Sequence, residues 1–171
     1  MCGRYTLKTR AEVLAEHFEL PEVPWFEPRY NIAPTQPVAV VRAGSEGGGR
    51  DLSMLRWGLI PSWADDPSIG NRMINARAET VAEKSAYRSA FRHRRCLVPA
   101  DGFYEWAKAN GAKQPHYFQL KDGGPFAFAG LWERWAKGKK PIESCTLLTT
   151  DANEVVSSIH DRMPIILEPK D

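Results

Sequence analysis

The amino-acid sequence predicts an α+β fold with a curved, mainly antiparallel, barrel-like β-sheet and a few short flanking helices. Two observations predict this class. Short apolar or alternating segments recur between turn residues, whereas helical periodicity is confined to three short stretches. The 13 prolines and 13 glycines are spread along the chain, as expected for many short elements joined by turns. The length of 171 residues suits a single domain spanning residues 1–171.

Strands are predicted from short segments rich in β-branched and aromatic residues. A glycine-rich loop at 44–49 joins the first two strands and predicts a hairpin tip. A second turn, from Asp122 to Gly124, predicts a hairpin between the segments on either side of it. The predicted strands lie at 37–43 and 51–60, in pairs within 96–108 and within 116–132, and singly at 144–150 and 163–167.

The first predicted helix covers residues 9–20. Thr9 and Glu12 have the spacing of a capping box at its start, and Pro21 is expected to stop it. One face of this helix carries the apolar residues and is expected to be buried. The residues on that face are Val13, Leu14, His17 and Phe18.

Two further helices are predicted, and both are short. One lies within residues 79–90. The other covers 151–160, where Asp151 is expected to be the N-cap and Glu154 follows three residues later. Both segments stand between predicted strands, so we expect these helices to flank the sheet.

Composition excludes membrane-spanning and secreted proteins. Hydrophobic residues make up 43% and charged residues 26% of the chain, as in soluble globular proteins. No apolar run approaches the roughly 20 residues of a membrane helix. Arg4, Lys8 and Arg10 interrupt the region where a secretion signal would lie. We therefore expect a cytoplasmic protein without membrane contact.

The net charge of +2 is a weak indication of nucleic-acid binding. The distribution of charge is more informative, because the segment 88–95 holds four arginines and one histidine without an acid. This segment is either a solvated basic face or a phosphate-binding surface. Arginine, rather than lysine, slightly favours phosphate, because a guanidinium binds phosphate through two parallel hydrogen bonds.

The three cysteines are Cys2, Cys96 and Cys145. Their spacing matches no zinc motif, and an odd number of cysteines argues against a disulfide framework. We therefore expect neither metal nor cofactor. Cys96 and Cys145 lie in apolar runs and are expected to be buried. Cys2 differs by its position, because removal of Met1 would leave it with a free thiol and a free α-amine.

Glu105 lies in the predicted strand GFYEW. Alternation places Phe103 and Glu105 on one face and Tyr104 and Trp106 on the other, so both faces are aromatic. Burial among aromatic rings would raise the pKa of Glu105 and suit it to general acid–base catalysis near neutral pH. A strand-edge glutamate paired with an arginine is an equally good interpretation of the pattern.

Three other polar residues are candidates for a site. His160 lies between a predicted helix and a predicted strand, where functional groups are common, and its ordinary pKa is near neutral. Asn75 and Arg77 are two residues apart on an extended segment and would face the same way. They could orient a reacting group and hold a phosphate, although an asparagine turn and a surface arginine explain the pattern better when it is taken alone.

Six tryptophans are expected to be mostly in the core, at positions 25, 57, 63, 106, 132 and 135. Trp63 is the exception, because its proline-flanked segment indicates a loop. An exposed aromatic ring beside arginines is suited to stacking on unpaired bases.

The residues alone leave three functions open. An N-terminal cysteine could be the nucleophile of an amide hydrolase, with its own α-amine as the base. The chain could instead be a simple single-stranded DNA-binding module in which Cys2 is incidental. The third function is covalent chemistry that uses both the amine and the thiol of Cys2.

Seven ordered blocks decide among these functions: CGRY, YNIAPTQ, RWGLIPSWADD, MINARAET, RRCLVPADGFYEW, LLTTDAN and IHDRMPIIL. Together they closely resemble the SOS-response-associated peptidase family, also described as abasic-site processing proteins. The resemblance extends from Cys2 to about Leu167. Family members usually continue some tens of residues past the last block, so we expect this chain to be short at its C-terminal end relative to the family.

The resemblance implies recognition of abasic sites in single-stranded DNA and covalent attachment through Cys2. It implies associated lyase and self-processing peptidase activities, and we expect a monomer that associates with the nucleoid when bound to DNA. The matching active-site positions are Cys2, Asn75, Glu105 and His160. The matching DNA-contacting arginines are Arg4, Arg77 and Arg162, and Trp63 and Trp106 lie in blocks near the DNA path.

The chemistry of an abasic sugar explains why a terminal cysteine would be needed. The ring-opened sugar presents an aldehyde, and an α-amine with an ordinary pKa of about 7.7–8.0 can attack it to form an imine. The thiol of the same residue can then close a five-membered thiazolidine ring. An internal cysteine lacks the amine, and a terminal serine lacks the sulfur. Glu105 is the expected acid–base group, and His160 would protonate the sugar oxygen.

Overall fold

The computed structural model describes residues 2–24, 26–44, 48–109 and 112–168, without the side chains of residues 108 and 109. Trp25, one of the tryptophans expected in the core, and residues 45–47 of the glycine-rich loop lie outside the described residues. The described part of the chain forms two β-sheets with short helices beside them, which confirms the predicted α+β class.

Twelve strands, three α-helices and one 3₁₀ helix are formed by the described residues. They are β1 (Tyr5–Leu7), α1 (Ala11–His17), β2 (Arg29–Ile32), β3 (Pro37–Ala43), β4 (Arg50–Trp57), the 3₁₀ helix (Pro67–Arg72), β5 (Asn75–Arg77), α2 (Arg88–His93), β6 (Arg95–Ala100), β7 (Gly102–Ala109), β8 (Ala112–Gln119), β9 (Phe126–Trp135), β10 (Ile142–Asp151), α3 (Glu154–Ser157), β11 (Arg162–Pro164) and β12 (Ile166–Leu167).

The larger sheet contains a closed five-stranded barrel, as predicted. Strands β10, β4, β3, β6 and β9 follow one another, and the pairing of β9 with β10 closes the circle. Most pairs are antiparallel, but β10 runs parallel to β4, with Cys145 beside Trp57. Trp57 and Phe128 are fully buried, and the ring of Tyr5 packs edge-on against both, at centroid distances of 5.3 and 5.7 Å. Cys96 and Cys145 are buried, as expected.

The smaller sheet has the strand order β2-β1-β7-β8 and positions the N-terminal residues. Tyr5 of β1 pairs with Phe103 of β7, and both side chains are buried in the core. The first described residues therefore run beside β7, which carries Glu105. This sheet brings together two segments that are about 100 positions apart in the chain.

The predicted hairpin around Asp122–Gly124 is wrong. The chain does turn there, with Gly123 in the left-handed region at φ 69°, but the strands on either side belong to different sheets. β8 pairs with β7, and β9 pairs with β6. The reason is that alternation determines which face of a strand is buried but not which strand becomes its neighbour.

The first helix is shorter than predicted. Its N-cap is Arg10, without a capping side chain, because the Thr9 hydroxyl donates to the carboxylate of Asp101 instead. The chain leaves the helix at Phe18, before Pro21, and the next residue has a positive φ of 52°. Of the four residues expected on the buried face, Leu14 and Phe18 are buried, whereas Val13 and His17 are exposed.

Two other helix predictions also shift. α2 lies at Arg88–His93, inside the basic segment, and residues 79–87 form turns. The N-cap of α3 is Asn153, whose Oδ1 accepts from the backbone N–H of Val156 at 3.0 Å. Asp151 is instead the last residue of β10, where it pairs with Arg162 of β11 in the sheet and through its carboxylate.

Candidate active site

Cys2 lies before β1 and is 0% exposed. The side chain of Asn75 donates from Nδ2 to the backbone carbonyl of Cys2 at 2.9 Å. The Cys2 thiol donates a weak hydrogen bond to the carbonyl of Arg4, with a sulfur–oxygen distance of 3.8 Å. The backbone and the sulfur of Cys2 therefore both have partners that hold them beside β5 and β1.

Asn75 is positioned by β5, which runs parallel to β10 and places Asn75 beside Leu147. Ala76 turns into the core, and Asn75 and Arg77 lie on the other side of the strand, as alternation predicts. Asn75 Oδ1 is buried and has no hydrogen-bond partner among the described residues. This oxygen is an acceptor that an amine or a substrate hydroxyl at the site could use.

The alternation predicted for β7 is confirmed. Phe103 and Glu105 are buried, whereas Tyr104 and Trp106 are partly exposed. Glu105 is only 2% exposed. Burial raises the pKa of Glu105 above its ordinary value, and the positive charge of His160 opposes the rise. Glu105 and His160 are therefore within electrostatic reach of each other, and Glu105 exchanges its proton closer to neutral pH than an exposed glutamate does.

Burial also raises the pKa of the Cys2 thiol, to about 12, and the negative charge of Glu105 contributes to the rise. The thiol is therefore protonated at neutral pH. A thiol in this state is a poor nucleophile until a base removes its proton. The Cys2 thiol and the Glu105 carboxyl are therefore within electrostatic range of each other.

His160 follows α3 in the loop before β11, and its ring has a defined partner on one side. The backbone N–H of Arg162 donates to His160 Nδ1 at 2.9 Å. Asp161 Oδ1 is also 3.0 Å from Nδ1. A neutral ring accepts from Arg162 at Nδ1 and carries its proton on Nε2, whereas a protonated ring donates to Asp161. In both forms Nε2 carries a proton and is a donor.

Arg162 is 9% exposed and lies in a network of acceptors. Its guanidinium makes two parallel bonds to the carboxylate of Glu79, both at 2.9 Å. It also donates to Asp151 at 2.7 Å and to the carbonyl of Thr149 at 2.9 Å. These bonds fix the position of the Arg162 side chain, and the contact of Arg162 with DNA stays a prediction.

Glu79→Gln is expected to lower the melting temperature, because one of the two parallel bonds to Arg162 becomes a repulsive contact between donors. The pKa of Glu79 is lowered by its hydrogen bonds to Arg162. The stability that ionised Glu79 contributes is therefore present above the ordinary glutamate pKa of about 4.3 and is lost as the pH falls through the lowered value.

Thermal melts from pH 7 down to pH 3 check this expectation, with exposed Glu83→Gln as the control. The difference between the wild-type protein and Glu79→Gln should narrow at the acidic end. A difference that stays constant across the whole pH range would contradict the ion pair as its cause.

The family model described as "SOS response associated peptidase (SRAP)" matches residues 1–171. The chain belongs to this family. Among its relatives, the "Abasic site processing protein YoaM" of Bacillus subtilis (strain 168) is 44% identical over 172 residues, which cover 98% of this chain and 75% of the relative. "Abasic site processing protein YoqW" of the same organism is 45% identical over 173 residues, which cover 98% and 76%.

A crystal structure of a protein from Bacteroides thetaiotaomicron has the same fold. It superposes with a TM-score of 0.86 at 26% identity, and the match covers 99% of this chain and 78% of that chain. The expected resemblance is thus confirmed by sequence and by structure. The chain spans about three quarters of the length of these relatives.

Four more residues were expected to contact DNA. In the structure of our protein they lie in different surroundings. Arg77 is exposed beside Asn75, and Arg4 is half-buried next to the Cys2 segment. Trp106 is half-buried on β7, on the face opposite Glu105. Trp63 is 52% exposed in the loop after β4, and Lys137 donates to its carbonyl at 2.6 Å. The contacts described for Trp63 do not link it to Cys2.

Sequence reasoning missed the residues that hold Arg162. Glu79 lies in the block MINARAET, two positions after Arg77. Its partner Arg162 is 83 residues away, and no local sequence pattern predicts the pair. Asp151 was predicted to be a helix cap. The signal in the sequence was the polar residue Thr149 in the apolar segment of β10, because a polar residue at a buried strand position requires polar partners.

The arginines of the basic segment 88–95 lie in two kinds of surroundings. Arg88 and Arg92 are exposed on α2, whereas Arg94 forms an ion pair with the buried Glu133 at 2.7 Å.

Among the described residues, no group of three or more histidine, cysteine or acidic side chains could hold a metal ion. No helix in the described part of the chain is long and apolar enough to cross a membrane.

Proposed function

We propose that this protein recognises abasic sites in single-stranded DNA and joins to them covalently through Cys2, after removal of Met1. One observation carries the proposal: Cys2 contacts Asn75 and shares electrostatic interactions with Glu105, which in turn interacts with His160. These residues come from four separate parts of the chain. The names of the relatives, abasic site processing proteins, support the same function.

The proposed reaction forms one ring and releases one water molecule. The α-amine of Cys2 attacks the aldehyde carbon of the ring-opened sugar, and the carbinolamine loses water to give an imine. The thiol then adds to the imine carbon, and its proton passes to the nitrogen. The product is a thiazolidine with a C–S and a C–N bond to the former aldehyde carbon. Both nucleophiles belong to one residue, which makes ring closure intramolecular.

The electrostatics of the site suggest the order of these steps. Burial raises the pKa of the Cys2 thiol and favours its protonated form, so the amine would attack first. Glu105 would take a proton from the ammonium, help the carbinolamine lose water, and then accept the thiol proton on its way to nitrogen. Asn75 Oδ1 would accept a hydrogen bond from the amine and hold it in place.

His160 would act as a donor. Because Nδ1 is occupied by the Arg162 N–H, the neutral ring presents Nε2–H, which can donate to the sugar oxygen as the ring opens. An imine at the sugar also makes β-elimination of the 3′ phosphate accessible, so lyase activity belongs to the proposal. The same groups could promote release of Met1, which would account for the peptidase in the family description.

DNA binding would combine charge with the absence of a base. Arg4, Arg77 and Arg162 would contact phosphates and make the affinity dependent on salt. Trp63 and Trp106 would contact flanking nucleotides, and Trp63 has the exposure that such contact needs. A nucleotide without a base enters a narrow pocket easily, because no stacking has to be broken. We also propose that residues 1–171 act as one domain and a monomer, located at the nucleoid.

Hydrolysis of an amide by Cys2 is the alternative function, and the structure gives it less support. A cysteine nucleophile needs a readily formed thiolate, whereas burial and Glu105 both raise the pKa of this thiol. The hydrolase would turn over a peptide substrate and show no preference for DNA.

The proposal is tested by incubating the protein, with its mature N-terminus verified by mass spectrometry, with single-stranded DNA that carries one abasic site. A heat-stable, shifted band on a denaturing gel is expected with this oligonucleotide, and none with an intact oligonucleotide. Equal bands with both oligonucleotides, or turnover of a peptide without any band, would overturn the proposal.

Extending the N-terminus is expected to abolish the crosslink. A tag that cannot be removed leaves Cys2 with an amide in place of its amine, and an amide nitrogen does not form an imine. Mass spectrometry of tagged and protease-released protein, each incubated with the abasic oligonucleotide, measures the effect. The adduct mass should return when a protease leaves Cys2 as the first residue, and a stable adduct with the tag in place would contradict the role of the amine.

A further inference from the structure

We propose that the outer face of the smaller sheet is a stacking platform for the unpaired bases beside the abasic site. The platform consists of four aromatic side chains, Tyr30, Tyr104, Trp106 and Tyr117, and we call it the aromatic platform. The inference rests on the proposed function and adds to it a subsite that binds the bases next to the lesion by stacking.

Three rings of the aromatic platform form a continuous group, and Tyr30 adjoins them through its backbone. Tyr104 on β7 pairs across the sheet with Tyr117 on β8, and their ring centroids are 5.0 Å apart. Trp106 lies on the same face, one alternation further along β7, with its ring centroid 6.3 Å from that of Tyr104. Tyr30 of β2 is on the other side, where its carbonyl accepts from the Tyr104 hydroxyl at 3.3 Å.

The platform is exposed and held in place. Tyr30 is 62% exposed and Tyr117 is 38% exposed, which is unusual for neighbouring aromatic side chains on a protein surface. The Tyr117 hydroxyl shares a hydrogen bond of 2.8 Å with the Thr6 hydroxyl. Rings fixed in this way lose little conformational entropy when a flat ligand stacks on them.

The aromatic platform is continuous with the Cys2 segment. The backbone N–H of Tyr104 donates to the carbonyl of Arg4 at 2.9 Å, so Arg4 lies directly across from Tyr104. The register of β1 and β7 places both side chains on the outer face, because the adjacent pair, Tyr5 and Phe103, faces the core. A strand of DNA attached at Cys2 would therefore meet Arg4 and the aromatic rings next.

Unpaired bases are the occupant that this surface fits best. Aromatic rings beside a guanidinium allow bases to stack while a phosphate is bound, which is how proteins bind single strands without reading their sequence. The outward-facing positions of β8 contain no acidic residue that would repel phosphates; they are Lys113, Pro115, Tyr117 and Gln119. A docking protein is the competing occupant, and it predicts that these rings make no difference to DNA binding.

The first test measures stacking in DNA without any abasic site, so it does not depend on crosslinking. A single-stranded oligonucleotide with 2-aminopurine at central positions is titrated with protein. Wild-type protein is expected to quench the fluorescence, and Tyr104→Leu and Tyr117→Leu are expected to weaken binding by about fivefold or more. Tyr104→Phe and Tyr117→Phe keep the flat ring and should retain the quenching, which controls for loss of the hydroxyls.

The second test compares two abasic oligonucleotides, one with ordinary flanking bases and one with non-reactive tetrahydrofuran spacers on both sides of the lesion. Wild-type protein is expected to crosslink the first about fivefold or more faster at low protein concentration, and the leucine variants should lose this difference. Unaltered melting temperatures would show that the variants fold.

Quenching and flank dependence that persist in the leucine variants would overturn the inference, and so would wild-type protein that ignores flanking bases in both tests. The second outcome would favour a protein partner for the aromatic platform. Failure of the proposed function looks different, because the protein would then quench 2-aminopurine normally but form no crosslink with either abasic oligonucleotide.

Discussion

Cys2→Ala is expected to abolish the heat-stable crosslink to abasic DNA. The rate of crosslink formation should fall at least about a thousandfold, as is typical when a covalent nucleophile is removed. The alanine retains the α-amine, so the imine can still form, but no thiol closes the ring. A denaturing gel after heating measures the stable product. Trapping with borohydride should recover an imine adduct from the same variant.

Cys96→Ala is the matched control, because Cys96 is also a buried free cysteine but lies in the barrel. It should crosslink like the wild-type protein after allowance for any loss of folded material. Cys2→Ser should behave like Cys2→Ala in the heated gel. A heat-stable band that survives in Cys2→Ala would eliminate the thiazolidine mechanism, even though an imine through another amine could still occur.

Glu105→Gln is expected to slow crosslinking by about 10²–10⁴-fold, the usual contribution of a general acid–base group. Glutamine has nearly the same shape but cannot exchange a proton. In the wild-type protein the rate should rise with pH as Glu105, whose pKa is raised by burial, loses its proton. The increase in rate that comes from deprotonation of the α-amine, near pH 7.7–8.0, should remain in the variant. The increase that comes from deprotonation of Glu105 should disappear.

The measurement is the rate of band formation between pH 5 and pH 9, together with binding to unreactive DNA. Glu143→Gln is a suitable control, because Glu143 is a partly buried glutamate that pairs with Arg42 on the barrel. Glu105→Gln should bind DNA nearly as well as the wild-type protein. Unchanged crosslinking rates across the pH range would remove Glu105 from its proposed role.

The same substitution has a consequence for stability. The raised pKa means that the folded protein binds the Glu105 proton more tightly than the unfolded chain, so stability falls as the pH rises through that pKa. Glu105→Gln should therefore melt at a higher temperature than the wild-type protein at pH 7.5. The difference should vanish near pH 4, where both states of the wild-type protein are protonated.

Local patterns in the sequence were sufficient for several features of the site. Alternation in GFYEW correctly predicted that Glu105 is buried and that Tyr104 and Trp106 lie on the opposite face, because neighbouring side chains of a strand always point in opposite directions. The apolar surroundings of Cys96 and Cys145 predicted their burial for the same local reason. The order of the seven blocks predicted the family, and the recurring short strands predicted the curved, mainly antiparallel, barrel-like sheet.

Pairing between distant segments was not accessible in this way. The turn at Gly123 suggested a hairpin, yet the chain passes there from one sheet to the other. Arg162 was predicted to contact DNA from the family resemblance, and nothing near it in the sequence indicated that its guanidinium pairs with Glu79 and Asp151. An ion pair forms wherever the fold brings two opposite charges together, and their separation in the chain carries no periodic signal that could reveal it.

The sequence by itself thus determined the chemical groups of this protein and the face of the strand on which each lies, since both depend on one residue and its immediate neighbours. Only the tertiary structure decided which groups meet. It places the Cys2 carbonyl on Asn75, brings the buried Glu105 carboxyl within electrostatic range of the Cys2 thiol and gives His160 Nδ1 the backbone N–H of Arg162 as a partner. The physical reason is that strand pairing and barrel closure depend on contacts between distant segments. Burial of whole sheet faces stabilises these contacts, and no single segment determines them.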